Sequence, residues 1–257
     1  MGIKPPSPGR RSLLQFGAAL AAAATLPPFA AAQDKPVLKI ASYALEPFCM
    51  LDEHGQPYGL SIDLLRLLEQ ESGITMVNMV MPYPRAMAMI ASGKMDLVFS
   101  FSNSQLRSHA REIGPISYGD VVVMARAGTQ FASTAELHGK TMGYIRGAEY
   151  DLALQSDPAI GHYETISYEQ TVRMLLKGRF DAALGVRLSL LNTLHRMGLT
   201  RDTLGPELPV TRRDMIVHYS AKTYDAHIAA ELQRGLASLR ARGALASVLK
   251  SYEQALR

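Results

Sequence analysis

The chain has 257 residues, a formal charge of +4 and a single cysteine. One cysteine excludes an internal disulfide. The basic excess is concentrated in the first 32 residues, so it lends no support to a nucleic-acid partner.

Lys4, Arg10 and Arg11 precede a small-residue apolar run from Leu13 to Leu26, and Ala30-Ala31-Ala32 offers an exit site. A basic head, an apolar middle too short to span a bilayer and such an exit predict an export signal over 1–32, cleaved near Ala32. Adjacent Arg10 and Arg11 followed by Ser12-Leu13-Leu14 point to the twin-arginine route, with an ordinary secretory signal as the alternative. Cleavage leaves 225 residues, enough for one large domain or two small lobes, and lowers the formal charge to +1. No later segment reaches membrane-spanning length without charges. A free periplasmic monomer is expected. Cys49 lies well past the apolar run, too far for a lipid-modified mature terminus, and reads as a small core residue beside Phe48.

In chain order, Val37 to Tyr43 reads as a strand, and Leu60 to Gly73 as a helix with Ser61 as N-cap and Gly73 as its stop. Ile74 to Val80 is a strand expected to be buried on both faces, with methionine as flexible filler in it and in the helix that follows. That helix enters through Pro84 and ends at Gly93, and Met95 to Phe101 is again a strand. Strand and helix alternating in this way predict parallel pairing with right-handed crossovers.

The second half repeats the scheme. Ser133 to Leu137 and Ser167 to Gln170 both fit the capping-box pattern. A strand over 140–144, a helix over 168–178 and a strand over 180–186 complete it. The phrases ASGKMDLVFS and LKGRFDAALG match: a glycine stop, a basic residue, an apolar residue, an aspartate, then a buried strand. The prediction is an α/β fold of two lobes, each a mostly parallel sheet flanked by helices. Lobe 1 takes 33–122 with 219–257 and lobe 2 takes 123–218. Extended segments near 121–127 and 212–218 form the hinge, and a last helix over 224–256 returns to lobe 1.

In an open parallel sheet the crevice lies at the carboxyl ends of the strands. Ser100, Ser102, Asn103 and Ser104 stand where the third strand empties into it, and Arg107 follows about a turn later. A guanidinium grips a carboxylate through two parallel N–H bonds and stays charged. A solvated Arg107, or one paired with Glu112, fits the same pattern equally well.

EPFCMLDEHGQPYGLSIDLLRLL, ASGKMDLVFSFSNSQLR, LHGKTMGYIRGAEYD and LLKGRFDAAL follow in order the pattern of the bacterial extracellular solute-binding proteins of amino-acid-type ABC transporters, which the chain resembles over nearly its whole mature length. The resemblance implies a hinge-closing receptor that delivers a small solute to an inner-membrane ABC permease. It implies Arg107 as the clamp on a carboxylate, flanked by Ser100 and Ser102, with Tyr83 stacking on the ligand. The second lobe would close through Gly147, Ala148 and Glu149. The chain departs from the pattern at two points: Val186 stands where an aspartate would hold the ligand's ammonium, and Leu45-Glu46 replaces an aromatic. The ligand implied is a small carboxylate-bearing solute, either an amino acid whose ammonium meets Glu46 or Glu149, or a plain organic acid.

No metal or cofactor is expected: the histidines are scattered singly, and no phosphate-cradling or dinucleotide glycine pattern occurs. The resemblance implies a non-enzymatic binding protein. The alternatives are a periplasmic lyase or dehydratase using Glu46 or Glu149 as general acid, and a ligand sensor that reports to a signalling partner.

Overall fold

The computed structural model describes residues 1–2 and 37–256. Apart from residues 1 and 2, the export signal predicted over 1–32 lies outside them. Among the described residues, no helix is long and apolar enough to cross a membrane.

Among the described residues, ten strands and eight α-helices follow one another as β1 (Leu38–Tyr43), β2 (Met50–Leu51), β3 (Pro57–Tyr58), α1 (Leu60–Ser72), β4 (Met76–Met81), α2 (Tyr83–Ser92), β5 (Leu97–Phe101), α3 (Ser104–His109) and β6 (Ala110–Ala125), then β7 (Thr141–Ile145), α4 (Leu152–Gln155), β8 (Gly161–Thr165), α5 (Tyr168–Leu176), β9 (Ala182–Val186), α6 (Arg187–Arg196), β10 (Leu208–Ser220), α7 (Ala226–Ala241) and α8 (Ala244–Gln254). Eight strands form one sheet in the order β4-β1-β5-β10-β6-β9-β7-β8. Two parallel triplets, β4-β1-β5 and β9-β7-β8, flank the antiparallel pair β6 and β10. The pair runs from Leu208 beside Val123 to Ser220 beside Ala110, reaching β5 on one side and β9 on the other. The segments expected as hinges fall largely within these two strands.

The repeated phrase has a structural cause. Gly93 and Gly178 take φ 74° and 66°, left-handed values that glycine adopts without steric cost. Each donates to the helix end before it, to the carbonyls of Ile90 and Leu175. The aspartates that follow then lock strand to strand. Asp96 Oδ2 accepts the Lys39 N–H at 2.8 Å while the Asp96 N–H donates to the Lys39 carbonyl, and Asp181 makes the same two bonds with Thr141. One device thus registers β5 on β1 and β9 on β7.

Elsewhere local chemistry departs from expectation. Gly59, not Ser61, is the N-cap of α1, and Ser61 is buried in the first turn with its N–H on the Phe48 carbonyl. Ser167 caps α5 through the Gln170 N–H, whereas Ser133 caps nothing: its segment is a single 3-10 turn in which Glu136 accepts the Ala132 N–H. The last helical stretch is two helices, because Gly243 interrupts it at φ 72°. Both pack on α1. β4 is not buried on both faces: it is the sheet's edge strand, so Val77 and Met79 are about half exposed while Met76 and Met81 are covered. Met81, Met87 and Met95 fill a small cluster between α2 and the first triplet.

Candidate functional site

The carboxyl ends of β1, β5, β7 and β9 converge, and the side chains there come from both triplets. Tyr43 closes β1 and donates from its hydroxyl to Ser100 Oγ at 3.2 Å. Its ring stands edge-on to Tyr83 with centroids 4.9 Å apart, the two rings meeting because β1 and β4 are neighbours. Asn103 Nδ2 donates to the Tyr83 hydroxyl at 2.8 Å while Asn103 Oδ1 caps α3 through the Leu106 N–H. Tyr83 is therefore fixed by the loop that follows β5. Burial raises its pKa, and that of Tyr43.

From the second triplet come Tyr150 and Tyr168, both buried, their hydroxyls 2.8 Å apart. Val186 is 1% exposed and donates its N–H to the Tyr168 hydroxyl at 2.9 Å. It is an apolar wall at the end of β9, with no charge to offer an ammonium group. Burial pushes the Tyr150 phenol well above its ordinary pKa, and neighbouring Tyr168 adds to the shift.

Among the described residues, several contacts near the strand ends cross between the halves. Glu46, in the loop after β1, pairs with Arg196 at the end of α6. Glu149 Oε1 accepts the hydroxyl of Ser104 at 3.0 Å and its N–H at 3.4 Å. Arg213, half-buried on β10, donates to the carbonyls of Ser102, Glu149 and Tyr150 and lies 5.6 Å from the Phe101 ring. Burial lowers the Arg213 pKa, the Glu149 charge raises it, and repulsion from Arg107 lowers it again.

Arg107 is exposed on α3 and, among the described residues, no carboxylate pairs with its guanidinium. Glu112, weighed as its partner, instead accepts from the Ser102 hydroxyl and lies 3.8 Å from His218. Ser102 Oγ is also 3.2 Å from His218 Nε2, so its hydroxyl is spent behind the loop and only its carbonyl meets Arg213. Ser100 is 3% exposed and reaches the site through Tyr43. Gly147 takes φ 74° in the loop after β7 and is exposed. Ala148 donates its N–H to the Ile145 carbonyl at 3.2 Å and accepts from Gln155 through its own carbonyl.

Sequence reasoning missed Arg213, Arg196 and Tyr43. Arg212 and Arg213 are adjacent and equally charged, but strand alternation sends them to opposite faces: Arg212 pairs with Asp120 through two bonds at 2.6 and 3.1 Å and covers Tyr118. The signal for Arg213 was present in that alternation, and the strand's register decided which arginine faced the crevice. Among the described residues, no group of three His, Cys, Asp or Glu side chains is placed to hold a metal ion.

The model of the bacterial extracellular solute-binding proteins, family 3, matches residues 38–255. No curated protein matches the chain. Three similar solved structures are an ancestral arginine-binding protein bound to arginine (TM-score 0.70, 16% identity, 84% of this chain and 97% of that one), a histidine kinase sensor domain with similarity to periplasmic binding proteins (0.71, 20%, 85% and 96%) and the substrate binding protein of an amino acid ABC transporter (0.68, 14%, 84% and 99%). At such identities they establish the fold, the two-lobed architecture of periplasmic binding proteins.

Proposed function

This chain belongs to the bacterial extracellular solute-binding proteins, family 3, and we propose that it captures a small carboxylate-bearing solute in the periplasm and passes it to an ABC permease of the inner membrane. The observation that carries the reading is the place of Arg107: it is exposed one turn after the loop that ends β5, no carboxylate among the described residues pairs with it, and the same loop holds Tyr83 through Asn103 at the carboxyl ends of the strands. An uncommitted guanidinium at the strand ends gains charge-assisted, bidentate bonds when a carboxylate arrives. Lobe 1 (33–122 with 219–257) and lobe 2 (123–218) rotate about β6 and β10. Closure strips water from the anion and strengthens its pairing as the local dielectric falls. The similar amino-acid transporter protein supports a transport role through its fold alone.

The clamp is assigned to Arg107, with Tyr83 against the ligand and the loop Gly147-Ala148-Glu149 closing over it. Mass spectrometry of ligand released from denatured, freshly purified protein identifies the solute. That solute then raises the melting temperature of the wild type and not of Arg107→Ala. An Arg107→Ala protein with undiminished affinity would sink the assignment.

A further inference from the structure

The strands about which the lobes turn pair Gly119 of β6 with Arg213 of β10. Gly119 is buried, and the space a side chain would need is taken from both sides. A Cβ there would lie 2.8 Å from the Phe101 ring of lobe 1 and 3.2 Å from a Val186 methyl of lobe 2. Glycine thus lets apolar groups of both lobes close on the hinge. Its pair Arg213 lies 5.6 Å from the Phe101 ring centroid. The Arg213 guanidinium donates to the carbonyl of Ser102 in lobe 1 and to those of Glu149 and Tyr150 in lobe 2, so one side chain ties both rims of the crevice. Farther out, Glu149 accepts the Ser104 hydroxyl at 3.0 Å and Glu46 of lobe 1 pairs with Arg196 of lobe 2.

We infer that Arg213, seated against Gly119, is a latch that holds the lobes shut by protein contacts alone, so that solute enters only when the latch lets go. The inference rests on the proposed rotation about β6 and β10, and not on which solute is bound. Magnitudes rank the parts. A guanidinium bonded to carbonyls in a half-buried place shifts an equilibrium by about ten- to a hundredfold when it is removed. Glu46 and Arg196, with side chains 35% and 51% exposed, form a screened pair that adds roughly threefold. Arg213 is therefore the main fastening. Solute entry slows in proportion to the fraction of molecules that stand open, so the latch sets the rate of capture.

Small-angle X-ray scattering tests this on protein freed of copurified solute by unfolding in guanidinium chloride, gel filtration and refolding, with mass spectrometry confirming its removal. Four proteins are compared: the wild type, Gly119→Val, Arg213→Met and Arg213→Lys. Gly119→Val wedges Phe101 and Val186 apart and supplies the radius of gyration of open lobes. The wild type should be compact, and Arg213→Met should match the wedged variant. Arg213→Lys should fall between them, because one ammonium cannot span both rims as the guanidinium fork does; it also decides the matter if Arg213→Met fails to fold. A stripped wild type as expanded as Gly119→Val overturns the latch and leaves the hinge standing. So does an expanded Gly119→Val beside Arg213 variants as compact as the wild type. If Gly119→Val is compact as well, the lobes do not part, and the hinge falls together with the latch.

Discussion

Tyr168 offers its hydroxyl to two partners at once, the Tyr150 hydroxyl at 2.8 Å and the backbone N–H of Val186 at 2.9 Å. Burial pushes the Tyr168 phenol up to about 12, so the group stays protonated and the bridge between α5, the loop after β7 and the end of β9 persists at every physiological pH. Tyr168→Phe keeps the ring and removes the bridge. It leaves the Val186 N–H and the Tyr150 hydroxyl buried without their partner, a loss of about 1–3 kcal/mol. The urea midpoint falls accordingly, and an unchanged midpoint would show that water replaces the hydroxyl.

Asp96 and Asp181 predict a matched pair of mutants. Asp96→Ala and Asp181→Ala each strip the side-chain acceptor from one strand-opening N–H, that of Lys39 or of Thr141. Each costs about 1–2 kcal/mol of stability. Amide hydrogen exchange should locate the loss in β1 for the first and in β7 for the second. Equal deprotection of both strands by either mutant would contradict a local staple.

Cys49 is 2% exposed, and burial pushes its thiol up to about 11. The thiolate is the reactive form, so at pH 8 only about one thiol in a thousand is ionised, and even that is shielded. Native protein should leave a thiol-reactive dye almost uncoloured over the time in which urea-unfolded protein reacts fully. Rapid labelling of the native state would place Cys49 on an opening segment.

His218 is 1% exposed on β10, and its burial lowers its pKa below the ordinary value; Glu112 at 3.8 Å and the Ile216 carbonyl at 3.1 Å from Nδ1 oppose the shift without cancelling it. The unfolded chain therefore takes up the proton first. The contribution to stability is complete above about pH 6.5 and is lost as the pH falls towards and through the lower folded-state value. Urea midpoints measured from about pH 8 down to pH 5 should decline, and His218→Gln should flatten that decline. A mutant with the same slope as the wild type would assign the decline to other groups.

Much of the fold was legible in the chain because it rests on local chemistry. Apolar periodicity set the strands β1, β5 and β9, and Gly73, Gly93 and Gly178 set the helix ends. Even the likeness of the two halves was readable, since Asp96 and Asp181 are local devices repeated in sequence. The burial of β4 was misread because periodicity cannot tell an edge strand from a central one: only the strand order exposes Val77 and Met79.

The site divides along the same line. The sequence by itself determined that Tyr83, Ser100 and Arg107 belong near the strand ends, since chain distance from a strand terminus is a local fact. The tertiary structure decided their partners. Ser102 turned its hydroxyl away to Glu112, Glu46 went to Arg196, Glu149 crossed to Ser104, and Arg213 rather than Arg212 entered the crevice. Apart from Ser102 and Glu112, which lie ten positions apart, each of those pairings joins residues far apart in the chain. Which charge finds which depends on strand register and on how the two halves meet, and neither is encoded within a single segment.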